Sequence, residues 1–88
     1  MGKLINLARL KQSFWEEESC FSKILLPFAS KEQAAIFFEN CLLLNHNNNI
    51  VVDIQPTDGS VCIKIHGAKK EDRYEAQRDI MELYSLGD

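Results

Sequence analysis

At 88 residues the chain has room for one domain around one hydrophobic core, and a chain of that size buries about 60–65% of the surface its unfolded form exposes. Its composition, 45% hydrophobic and 26% charged with four glycines and two prolines, is too apolar for disorder and too mixed for a coiled coil. The formal net charge of −3 and a pI near 5.3 argue against a strong autonomous nucleic-acid binder, which draws affinity from excess Lys and Arg over phosphates.

Residues 3–17 read as a helix: Leu4, Leu7, Leu10 and Phe14 recur at helical spacing, with Lys3, Arg9 and Lys11 on other faces. The acidic run Glu16, Glu17, Glu18 stands at the end where the helix dipole disfavours it, which predicts fraying there. Phe14 and Trp15 either cover the edge of the core or dock on a partner. We expect residues 1–20 to form a docking helix with Leu7, Leu10, Phe14 and Trp15 as its interface, ahead of an α/β domain over 21–88. This segment lacks the continuous apolar core of a signal peptide, and no stretch approaches the roughly 18 apolar residues of a membrane span. A cytoplasmic or nuclear protein that does not engage a membrane is the expectation.

Residues 21–28, with Ile24, Leu25 and Leu26 at their centre, read as a strand, and Pro27 belongs at its end or on an edge because it cannot donate a ladder hydrogen bond. Ser30 is a natural N-cap, and Gln33 completes a capping box. The helix from Lys31 to about Leu44 places Ala34, Phe37, Phe38, Cys41 and Leu42 on one face, with Ile36, Leu43 and Leu44 widening the stripe. Asn45, His46 and Asn47–Asn49 end it, since Asn tolerates the left-handed conformation and bonds its own backbone.

Ile50, Val52 and Ile54 then alternate with Val51 and Asp53, Pro56-Thr57-Asp58-Gly59 reads as a turn, and Val61, Ile63 and Ile65 alternate with Cys62, Lys64 and His66. The two runs make a hairpin with one buried face. Gly67 leads into a last helix, about Lys69 to Tyr84, with Ala76, Ile80, Leu83 and Tyr84 as its apolar stripe. The order is α-β-α-β-β-α, an α+β fold in which a three-stranded sheet carries helices on one face.

The strand Val61–His66 running into Gly67, followed by a helix with Ala76 and Ile80 on its buried side, resembles the closing strand and helix of a KH domain. The strand near Ile24 lies 28 residues before the hairpin strand at Val52, a spacing that suits such a module, and the resemblance covers residues 21–85. The Gly-x-x-Gly loop with which RNA-binding members grip the backbone is missing: no glycine occurs between Gly2 and Gly59, and Glu39 stands where phosphate would approach. The resemblance therefore implies a degenerate KH-like domain that binds proteins in an RNA-associated setting.

A second resemblance is carried by Ile24-Leu25-Leu26-Pro27-Phe28 and Ser30 to Ala35, followed by a hairpin and a helix. This order is similar to the small dimerising subunit of the KEOPS tRNA-modification complex. The Leu-Arg pair usual in the last helix of that family is replaced here by Glu71-Asp72-Arg73-Tyr74.

The chemistry-bearing side chains point away from catalysis. Cys20, Cys41 and Cys62 are odd in number and widely spaced, which suits a reducing compartment and indicates neither a disulfide framework nor a zinc knuckle. Cys62 and His66 stand four residues apart on one strand, about 13 Å, too far for direct proton transfer. His46, His66 and a cysteine have no recognised metal-ligand spacing. Glu71, Asp72, Glu75 and Asp79 interleave with Arg73 and Arg78 as a solvated helix face. The single basic concentration, Lys64, Lys69, Lys70 and Arg73, is the candidate for weak contact with single-stranded RNA. The sequence thus reads as a non-enzymatic, cofactor-free interaction module with a protein partner, homodimerisation and weak RNA binding being further options.

Overall fold

The computed structural model describes residues 14–17 and 19–86. Its elements in chain order are β1 (Phe14–Glu17), β2 (Phe21–Pro27), α1 (Lys31–Cys41), β3 (Val51–Thr57), β4 (Ser60–His66) and α2 (Lys70–Ser85). The strands form one antiparallel sheet in the order β1-β2-β4-β3. The α+β class holds, with the three expected strands β2, β4 and β3 side by side and both helices on one face.

The start of the chain differs from expectation. Phe14–Glu17, read as the end of a helix, is a strand paired with β2, Phe14 opposite Leu25 and Glu17 opposite Ser22. Two adjacent aromatics suit an extended backbone, and an acidic run at a helix C-terminus does not. Phe14 and Trp15 therefore belong to the sheet rather than to a docking helix, and Leu7 and Leu10 lie outside the described residues.

Strict alternation in β2 and β4 sorts their side chains between two faces. Ile24, Leu26, Val61, Ile63 and Ile65 are fully buried under the helices. From α1 they meet Ala34, Phe37 and Cys41, and from α2 Ala76, Ile80 and Tyr84. Phe28, Phe37 and Tyr84 pack as tilted and edge-on rings with centroids 5.1–5.8 Å apart. The Tyr84 hydroxyl donates to the Pro27 carbonyl at 2.7 Å, tying the end of α2 to the end of β2.

Ser30 caps α1 as its sequence predicts, its Oγ accepting from the Gln33 N–H at 3.2 Å. The helix ends earlier than expected, because the Leu43 and Leu44 amides turn back to Asn40 and Cys41 in a tightened last turn. Only the narrow stripe Ala34, Phe37, Cys41 faces the sheet, so Ile36 and Leu43 do not join the core and are 60% and 79% exposed. In the hairpin, Pro56 and Thr57 pair with Val61 and Ser60 rather than turning. The turn is Asp58-Gly59, with Gly59 at φ +73°, and Pro56 sits on an edge strand where its missing N–H is tolerated.

Candidate interaction surface

The face of the sheet opposite the helices is built by the other half of the same alternation. Backbone register sets three rows across β2, β4 and β3: Leu25, Cys62, Gln55; then Lys23, Lys64, Asp53; then Phe21, His66, Val51. Leu25 is 39% and Val51 67% exposed, while Phe21, Lys23 and Cys62 are half-buried by their neighbours. Phe21 and His66 stack at a tilt with centroids 5.7 Å apart, and the Lys64 ammonium lies 6.0 Å above the Phe21 ring.

The middle row places Lys23 directly opposite Lys64, a like-charge pair that costs stability across a ladder. Asp53 stands beyond Lys64 at the β3 position. The face therefore combines apolar area, two aromatic rings and a pair of cations. The outer edge of β3 adds a run of backbone groups with no ladder partner among the described residues.

The basic cluster read from the sequence does not assemble. Lys64 lies on the helix-free face, whereas α2 begins on the covered side with Lys69 as its N-cap residue and Lys70 as its first, both exposed. Arg73 is a correction in the full sense: it is completely buried and unavailable to RNA. Its Nε donates to Ser22 Oγ at 3.1 Å, its Nη1 to the Gly67 carbonyl, and its Nη2 lies 3.4 Å from Glu17 Oε1. A guanidinium can be buried only when paired and hydrogen-bonded, and β1, β2 and the Gly67 turn supply those partners. The space is tight, since a Cβ at Gly67 would stand 2.7 Å from Ile50 Cγ2 and 3.4 Å from Arg73 Cγ.

Glu17 serves a second partner. The Tyr74 hydroxyl donates to Glu17 Oε2 at 2.8 Å, and this bond to an anion, more than any other influence, raises the Tyr74 phenol above its usual range. One carboxylate thus joins the edge strand to α2. This network was not legible from sequence, although Ser22, a hydroxyl on the apolar side of β2, was a signal that something polar had to reach it.

Burial pushes the Cys41 thiol up to about 12, which makes it a small hydrophobe rather than a nucleophile. Cys62 and His66 share the helix-free face in different rows, and Cys20 is exposed in the β1–β2 connection. Among the described residues no three His, Cys, Asp or Glu side chains gather as a metal site, and no helix is long and apolar enough to cross a membrane. No protein-family model matches this chain, and no curated protein or solved structure matches it either.

Proposed function

We propose that this domain is a non-catalytic, KH-like protein-interaction module that docks a protein partner on the helix-free face and β3 edge of its sheet. The observation that carries this reading is the composition of that face. Leu25, Val51 and Phe21 give apolar contact area, and the opposed Lys23 and Lys64 favour a partner that brings carboxylates between them. The unbroken helix Lys31–Cys41, lacking the glycines of an RNA-gripping loop, also favours a protein ligand over RNA.

The test is capture by the purified domain, with nuclease treatment, comparing Leu25→Asp on the helix-free face with Ile36→Asp on the exposed side of α1. Nuclease-resistant capture that is lost in Leu25→Asp and kept in Ile36→Asp supports the reading. Capture lost with nuclease, or indifferent to Leu25, overturns it.

A second reading, a small dimerising subunit of a tRNA-modification complex, draws support from the Pro27-Phe28 strand end on which that resemblance rests. Both residues are fastened in place, Pro27 by the Tyr84 hydroxyl and Phe28 by its N–H to the Gly59 carbonyl at 2.7 Å. For this reading the occupant of the helix-free face is a second copy, and light scattering should return twice the chain mass for the wild type and the chain mass for Leu25→Asp.

A further inference from the structure

We propose that Tyr74 is a phosphorylation site and that its modification unlatches the edge strand β1 from helix α2. The chain has two tyrosines, and the fold treats them oppositely. Tyr84 is 1% exposed, with its ring in the aromatic cluster and its hydroxyl on the Pro27 carbonyl. Tyr74 is 42% exposed, in the second turn of α2, with its hydroxyl at the surface against Glu17. No side chain caps the start of that helix at Lys69.

The transfer balances with a nucleoside triphosphate as donor. The bond between its γ-phosphorus and the bridging oxygen breaks, the Tyr74 Oη–phosphorus bond forms, and the nucleoside diphosphate leaves. The phenolic proton already points at Glu17 Oε2, 2.8 Å away, and passes through that carboxylate to water.

The product is incompatible with the latch. A phosphate carrying nearly two negative charges replaces a hydroxyl that donated to Glu17, so attraction becomes like-charge repulsion. Arg73 stays buried on Ser22 Oγ and the Gly67 carbonyl, so Glu17 is the group displaced, and with it a side-chain tie between β1 and α2.

Amide exchange over β1 reports the change. The experiment treats the native 88-residue chain with a tyrosine-kinase domain already shown to phosphorylate an isolated 69–80 peptide. Mass spectrometry and amide exchange over 14–17 are then read. Phosphate on Tyr74 and not Tyr84, with exchange at 14–17 faster by about tenfold, is the expected result. Glu17→Gln should exchange fast before treatment and gain nothing from it, and Tyr74→Phe should accept no phosphate. A native chain left unmodified, or one modified at Tyr74 with exchange at 14–17 unchanged, overturns the proposal.

Discussion

The two faces of this sheet are made by alternate residues of the same strands, and they obey different rules. On the covered face, Ile24, Leu26, Val61, Ile63 and Ile65 are sealed under two helices, and the one charge among these described residues, Arg73, is held by Ser22, Gly67 and Glu17 from three parts of the chain. On the helix-free face, Lys23 opposes Lys64, with Glu16 next in register on β1 and Asp53 on β3, beside exposed Leu25 and Val51. Burial enforces pairing and packing, whereas exposure lets a like-charge pair stand because water and salt screen it.

Neighbours on β4 make the sharpest contrast. Ile63→Ala should cost about 3–4 kcal/mol in urea unfolding, through lost apolar contact and the cavity left behind, while Lys64→Ala should stay within about 0.5 kcal/mol. Equal losses at the two positions would mean that the helix-free face is itself sealed. Arg73→Ala should cost about 2–3 kcal/mol, below the value for a fully buried ion pair because Glu17 keeps some contact with water. An unchanged unfolding midpoint would show that the guanidinium is not what holds β1, β2 and α2 together.

Gly67→Ala should cost about 1–3 kcal/mol, because the added methyl meets the β-branched Ile50 side chain rather than a flexible one. The smallest effect near neutrality belongs to Cys41. Its pKa is raised from 9.0 in the ordinary thiol to about 12 in the fold. Below pH 9 the thiol is protonated in both states and does not alter the balance. Between 9 and 12 the unfolded chain sheds that proton and the folded chain keeps it, so stability falls as pH rises through that window. Tyr74 adds to the decline in the same direction. Cys41→Ala should therefore lose less stability than the wild type on going alkaline, a slope that thermal melts across the window would measure.

Much of the covered face was legible in the sequence. The alternation in Val61–His66, the Ser30 cap and the stripe Ala76, Ile80, Tyr84 each carry a period or a local rule that survives folding. Less of the candidate surface was. Lys64 was recognised, but alongside Lys69, Lys70 and Arg73, whose nearness in sequence hid their dispersal over two faces and the interior. Phe21 and Lys23 were not legible as a surface because β2 reads as an apolar run, Ile24-Leu25-Leu26, that does not by itself assign its two faces. Periodicity also misled at Ile36 and Leu43, where apolar residues lie outside the arc that α1 turns to the sheet.

Local chemistry in the chain determined the element types from Phe21 to Ser85, the capped start of α1, the Asp58-Gly59 turn and the identity of the main core residues, because each depends on spacing or on neighbours a few positions away. Only the tertiary structure decided that Phe14–Glu17 is a strand, that Arg73 is interior, and that Glu17 reaches both Arg73 and Tyr74 across 56 and 57 positions of sequence. Those outcomes arise from groups distant in the chain that satisfy one another only once the sheet has brought β1 beside β2 and laid α2 over it.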